Sequence, residues 1–396
     1  MLVFQVLAAF FIGLFFVYYT IPVIVRISIA KHLYDVPNER KVNIKVIPNL
    51  GGIALFIGIS MGSLIGILKH SFPDWRFISS SMIILFFIGI KDDILAISAI
   101  KKFVTQFLCA LILIFLGDIR LTHFHGIFSI NEINYSFSVL VSLFAIIGTI
   151  NAINLIDGID GLSASIGILA ASIFGIIFFM TDQVNYAVLC AAKLGSLISF
   201  FAYNVFGTTN KIFMGDTGSL MLGLILSVCA IYFNETPVVG NEDLVRIAPV
   251  LTLAILAVPI FDMVRLFIGR IFNAKSPFSA DMNHIHHKFL KLGFSHLKST
   301  AIIFISNLFI VGIIWWFRAE QNQTLLFILL FMISALMILP GLIYQYRASK
   351  RSPVENGKFT WYANPEKITQ PADVKPLVLM EVTREVDEDH HIAANK

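Results

Sequence analysis

The chain is 396 residues long, 57% hydrophobic and only 14% charged, with a formal net charge of +4. Soluble domains carry about 25% charged residues, so the composition excludes an ordinary soluble enzyme. The basic residues fall in loop clusters between apolar runs, which argues for membrane orientation and against a nucleic-acid-binding surface.

Predominantly apolar runs of about 17 or more residues are long enough to cross a bilayer as helices. Lipid offers a bare backbone group no partner, so these runs are helices or barrel strands. Alternation at period two is absent, and the expectation is an all-α polytopic membrane bundle. About eleven spans are expected, at residues 2–25, 50–68, 77–91, 103–119, 138–153, 163–180, 184–203, 217–233, 247–267, 301–317 and 324–345. The first lacks both a basic leader and an A-x-A-like cleavage site, so it reads as a retained span rather than a secretory signal. Cys109, Cys190 and Cys229 all lie inside apolar runs, with neither a disulfide framework nor a metal-ligand spacing.

Between the first two spans, "DVPNERKVNIK" (35–45) is a mixed-charge loop that leads into "IPNLGG". The third span ends in Asp92 and Asp93, adjacent carboxylates that need a cation or a shared proton to offset their repulsion; a solvated helix end is the plainer alternative. After the fifth span, "NAINLIDGIDGL" carries Asp157 and Asp160 three residues apart, neighbours if the segment is helical. Asn154 adds a neutral oxygen, and such oxygens suit a hard cation that shares its shell with phosphate. Glycine-mediated helix packing would explain Gly158 and Gly161 but not the acids. Lys193 sits near the middle of the seventh span, where a charge is costly and a functional suspect, or else paired within the bundle.

"FMGDTGSL" opens the eighth span. Asp216, Thr217 and Ser219 there form an ordinary helix cap or a metal site beside N–H groups that favour phosphate. Phe213 is either core or a surface for stacking a base. After the ninth span, "DMNHIHHKF" places His284, His286 and His287 in a basic loop with Arg265, Arg270, Lys275 and Lys288. No structural zinc pattern accompanies them, and a cationic cradle for phosphate fits better than zinc, with a solvated loop as the alternative. No G-x-x-x-x-G-K-[ST] or G-x-G-x-x-G motif is present.

Lysine and arginine assign the sides. The loops after odd-numbered spans hold fifteen of them and the even-numbered loops five, which places the odd loops in the cytoplasm, the N-terminus outside and the C-terminus inside. "KDD", "NLIDGIDG", "FMGDTG" and "HIHH" then all reach one cytoplasmic face, as parts of one site would. His123 and His125 are scattered on the other. Residues 1–346 form the transmembrane domain, and 347–396 form a polar tail whose acidic end has the composition of a disordered segment.

In this order and on one face, "DVPNERK…IPNLGG", "DD…KFVTQ", "NAINLIDGIDGL", "YN…FMGDTGSL", "PIFD" and "SPFSADMNHIHHKF" resemble the polyprenyl-phosphate N-acetylhexosamine-1-phosphate transferases. This membrane family includes WecA-type and TagO-type enzymes, and the resemblance runs from about Asp35 to about Tyr346. It implies transfer of a sugar-1-phosphate, most readily N-acetylglucosamine 1-phosphate, from a UDP-N-acetylhexosamine to undecaprenyl phosphate. UMP is released, with Mg²⁺ as cofactor (Mn²⁺ as a substitute), at the cytoplasmic face of a bacterial inner membrane. Dimerisation is left open. By position, the resemblance implies that Asp216 is the main metal ligand with Asn154 second. Asp92 and Asp93 would deprotonate or orient the lipid phosphate, with Lys102 contacting phosphate. Asp157, Asp160, Asn204 and Phe213 would serve the nucleotide, and His284, His286 and His287 the diphosphate. Asn43 and Asn49 depart from a histidine and an arginine common in the family, which touches fine substrate preference. The nearest alternative is a phospho-MurNAc-pentapeptide transferase. An ion-coupled transporter is more distant, since transporters keep ionisable groups near midplane and show repeated halves.

Overall fold

The computed structural model describes residues 2–34, 47–67, 72–236, 242–272 and 284–350; the 35–45 loop, Lys275 and the tail beyond Lys350 lie outside the described residues. The chain divides into two compact units at Gln345/Tyr346, and the first is the helical bundle.

Every expected span falls on a helix or a helix pair. The first four are α1 (Leu2–Ala30), α2 (Gly51–Gly66), α3 (Trp75–Leu95) and α4 (Ala99–Leu111, extended by a π-helical turn to Leu116). The next four are α5 (Tyr135–Ile156), α6 (Leu162–Met180), α7 (Val184–Phe206) and α8 (Gly215–Glu235). The ninth is a bent pair, α9 (Glu242–Ile255) and α10 (Ala257–Phe272). After the short α11 (Ile285–Lys291) come α12 (His296–Trp316), then α13 (Gln323–Ala335) leading through one 3₁₀ turn into α14 (Leu339–Lys350). Among the described residues, eight helices are long and apolar enough to span a membrane, or nine with the bent pair counted once. The other two expected spans are α2, short at 16 residues, and α3, whose ends carry Arg76 and the Lys91–Asp92–Asp93 run.

Apolar residues all round a helix mark it as central, and α8 is such a helix: 89% of its apolar window is buried, against 22% for α1 at the rim. The site is therefore built on the most enclosed helix of the bundle.

The bend between α9 and α10 is 64°. Pro259 has no N–H to give the Ile255 carbonyl one turn back. Asn307 of α12 supplies the substitute: its amide nitrogen donates to Ile255 O at 2.9 Å, and its oxygen accepts from Val258 N at 3.0 Å. One buried side chain thus satisfies a backbone donor and a backbone acceptor at the break, as lipid-depth backbone favours.

One element departs from the all-α expectation. β1 (His123–Ile127) and β2 (Ile130–Glu132) form an antiparallel hairpin, too short to show as alternation in the sequence. It is held by the C-terminal end of α8. Glu235 accepts from Thr122 N at 2.8 Å, Asn234 donates to His123 O at 3.0 Å, and the His125 ring meets Asn234 O at 2.9 Å. At 1.5 Å per residue, the length of α8 puts these histidines roughly 30 Å from Asp216.

Candidate active site

The site starts at the first turn of α8. The segment before it pairs with the "IPNLGG" strip: Phe213 N donates to Pro48 O at 2.8 Å, Gly51 N to Phe213 O at 2.9 Å and Gly52 N to Met214 O at 2.9 Å. The free N–H groups of α8 are capped from another helix. Asp93 accepts from Asp216 N at 2.8 Å, from Thr217 N at 3.0 Å and from the Thr217 hydroxyl at 2.5 Å. The cap that the sequence offered to Asp216, Thr217 and Ser219 is thus made by Asp93, an acid favourably placed at a helix N-terminus.

That cap leaves the Asp216 carboxylate available. Lys102 Nζ donates to its Oδ2 at 2.9 Å, and the Asn154 amide bonds its Oδ1 and also reaches Ser219 Oγ at 2.9 Å. Lys102 pairs with Asp92 as well, and Asp92 accepts Ile97 N at 2.6 Å. The two adjacent aspartates therefore part company: Asp92 takes the lysine and Asp93 the helix end. Gln106, four residues after Lys102, bonds Asn151 at 2.7 Å and holds α4 against α5 one turn before Asn154.

Asp157 and Asp160 do not share a helix face. α5 ends at Ile156, and the next residues make turns closed by Gly161 at φ +76°, a left-handed conformation that glycine adopts freely. Burial pushes the Asp157 carboxyl up to about 7, against the hydrogen bond from Ser163 and with the help of nearby Asp216 and Asp160. Asp160 differs. Burial alone would raise it, but hydrogen bonds from His296 and Lys211 hold it below the ordinary carboxylate range. Asn204 is a strut whose oxygen accepts Gly161 N at 2.6 Å and whose nitrogen donates to Ile212 O at 2.8 Å.

The histidine loop closes the other side. Asp262, in "PIFD" on α10, accepts from the His284 ring at 2.9 Å, from Arg265 at 2.6 Å and from Ile285 N at 3.1 Å, and so fixes the start of α11. His284 and His286 stack at 5.5 Å, and His287 lies 4.3 Å from His286. His286 is buried, and neither ring nitrogen has a hydrogen-bond partner among the described residues. It packs on Gly158, where an added Cβ would come within 2.3 Å of Nε2. Burial, then the neighbouring His287 and His284, pushes His286 down to about 3, so it is a neutral ring and not a cation of the expected cradle.

All four motifs thus meet: "KDD" and "FMGD" through Asp93, "NLIDG" and "FMGD" through Asn154, "NLIDG" and "HIHH" through Gly158. Phe213 is half-buried beside them. Lys193 stands apart. It is fully buried in α7, with no hydrogen-bond partner among the described residues. Sequence reasoning missed Asp262, Lys211 and His296 as participants; the carboxylate inside the apolar "PIFD" run was the one readable signal.

The donors suit a hard cation. Among the described residues no three His, Cys, Asp or Glu side chains make a ready cage. Mg²⁺, however, commonly takes one or two carboxylates and leaves its remaining positions to water and substrate phosphate. Asp92 and Asp216, bridged by the Lys102 ammonium, already share one cation, and the Asn154 amide offers an oxygen after a half-turn.

The description of glycosyl transferase family 4 matches residues 75–234, from the start of α3 almost to the end of α8. The chain is 32% identical over 308 residues to a Bacillus subtilis (strain 168) protein called "Probable undecaprenyl-phosphate N-acetylglucosaminyl 1-phosphate transferase", covering 76% of this chain and 82% of the relative. It is 29% identical over 326 residues to the undecaprenyl-phosphate alpha-N-acetylglucosaminyl 1-phosphate transferase of Yersinia pestis, covering 81% and 85%. With the Escherichia coli (strain K12) protein of that same name the figures are 29% over 284 residues, 71% and 75%.

Proposed function

The chain belongs to glycosyl transferase family 4, and from that membership we propose that it transfers N-acetylglucosamine 1-phosphate from UDP-N-acetylglucosamine to undecaprenyl phosphate, starting a lipid-linked cell-surface glycan. The observation that carries the reading is Lys102 Nζ held between Asp92 and Asp216 at the end of the most buried helix, where four separate motifs converge. Such a place offsets the repulsion between two anionic reactants, the main physical demand of phosphoryl transfer.

In this reading an oxygen of the lipid phosphate attacks the phosphorus that carries the sugar. The bond from that phosphorus to the bridging oxygen breaks, and UMP leaves with that oxygen. Asp216 and Asn154 would hold Mg²⁺ (or Mn²⁺), which would supply charge neutralisation for the pyrophosphate. Lys102 meets the phosphates, and Asp92 orients both the lysine and the acceptor. Asp93 acts through α8, holding Asp216 in place. Asp157, Asp160, Asn204 and Phe213 form the nucleotide side, with His284, His286 and His287 beside the diphosphate. In the same reading the chain crosses the membrane eleven times, and the excess of Lys and Arg in alternate loops supports an N-terminus outside and a C-terminus and site on the cytoplasmic side of a bacterial inner membrane. The lipid reaches that rim from the bilayer and the nucleotide sugar from water.

The test is radiolabel transfer from a panel of UDP-sugars to undecaprenyl phosphate by the purified protein in detergent, with UMP scored. UMP stoichiometric with labelled lipid, abolished by EDTA and restored by Mg²⁺, is expected. No labelled lipid from any UDP-N-acetylhexosamine would remove the reading. Phosphate trapped on Asp92 or Asp93 with donor alone would replace direct attack by a covalent route.

A further inference from the structure

Three stretches distant in sequence are pinned at Asp160. Lys211 Nζ donates to Asp160 Oδ2 at 2.7 Å, and His296 Nδ1 approaches the same oxygen at 3.4 Å. Thr300, one turn further along α12, donates its hydroxyl to the Asp160 carbonyl at 2.8 Å. The carboxylate is largely enclosed, and its Oδ1 is buried with no hydrogen-bond partner among the described residues. A carboxylate so placed depends on Lys211, because removing that cation leaves buried charge undercompensated. Asn204 runs parallel to this contact, tying Gly161 N to Ile212 O. Lys211 and Ile212 immediately precede Phe213, so both links join the 157–161 turn to the segment that presents Phe213.

We propose that Lys211 and His296 are positioning residues for the nucleotide donor: through Asp160 they clamp the 157–161 turn, the 211–213 segment and the start of α12 into one wall. The inference rests on the donor side of the proposed reaction. The phosphate side is secured by other contacts, since Lys102 is held by Asp92 and Asp216, and Asp216 by Asn154. Loosening the clamp therefore displaces the nucleotide and leaves the acceptor's contacts in place, and small displacements of a bound reactant are expensive in rate.

The test is steady-state transfer by full-length Lys211→Met, Lys211→Arg and His296→Gln proteins, with each substrate varied in turn, and UMP affinity measured by calorimetry. Lys211→Met should raise the KM for the UDP-sugar about tenfold and weaken UMP to a similar extent, with the KM for undecaprenyl phosphate within about twofold of wild type. Lys211→Arg, which keeps the charge, should recover most of the loss, and His296→Gln should show a smaller change of the same kind. An unchanged donor KM and UMP affinity would overturn the proposal, as would equal losses toward both substrates. Should the wild type bind UMP yet transfer nothing to undecaprenyl phosphate, the functional reading falls, and the UMP affinities of the variants still decide the clamp.

Discussion

Asp93 and Asp216 show how a carboxylate's task depends on what its neighbour already does. With the α8 N-terminus capped by Asp93, Asp216 is left to face Lys102 and Asn154. Asp216→Asn should lower turnover about 10²-fold or more, the scale of losing one electrostatic contact to a transition state, with an unchanged elution profile; near-normal turnover would remove Asp216 from the reacting centre. Gly158→Ala should cost about 1–3 kcal/mol through overpacking against the His286 ring, read as a lowered thermal midpoint. His286 and Asp157 set opposite pH slopes. The unfolded imidazole takes its proton near 6.5, but folded His286 waits until about 3, so its contribution is complete above 6.5 and is lost as pH falls through that window. Asp157 is raised from 3.8 to about 7, so its contribution is complete below 3.8 and is lost as pH rises toward 7. The two nearly cancel in the wild type between those limits. Relative to wild type, stability from pH 4 to 6.5 should therefore gain a positive pH slope in Asp157→Asn and a negative one in His286→Leu, read from thermal midpoints, each change at most about 1.4 kcal/mol per unit.

At the level of elements, the bend in the ninth span carries its own test. Asn307→Leu strands the Ile255 carbonyl and the Val258 N–H, each costing about 1–3 kcal/mol when left unsatisfied. Pro259→Ala restores an N–H able to reach Ile255 O, so the double variant should regain part of what Asn307→Leu loses. Additive thermal shifts would mean that Asn307 does not serve the break. The same element shows what sequence could carry. Pro259 was a readable sign of a fault inside the span expected as continuous over 247–267, whereas its remedy lay 48 positions away in an asparagine that looks like any other. Asp92, Asp157 and Asp216 were legible because an acid beside a span needs a reason. Their division of labour was not, because it depends on partners as distant as Asp93 from Thr217 or Asp160 from His296. The hairpin at His123 was invisible for another reason: three to five residues are too few for a period.

Over the whole molecule, the expected spans all coincide with helices because lipid permits only closed backbone, so hydropathy alone maps the bundle. Which side each end faces rests on a weaker asymmetry, the excess of Lys and Arg in alternate loops. α8 makes the question sharp, since Asp216 sits at one end of it and Glu235, which holds the hairpin, at the other. If α8 spans the bilayer, the acids and histidines of the site share one compartment and the hairpin faces the opposite one. All three native cysteines are buried, so a single introduced thiol reports its side against a low background. Thr209→Cys, in the exposed turn before α8, should resist a membrane-impermeant maleimide in intact cells and react once the membrane is opened. Ser129→Cys, at the exposed hairpin tip, should react at once. Labelling of both positions from outside would place the site at the outer surface, out of reach of a cytoplasmic nucleotide sugar.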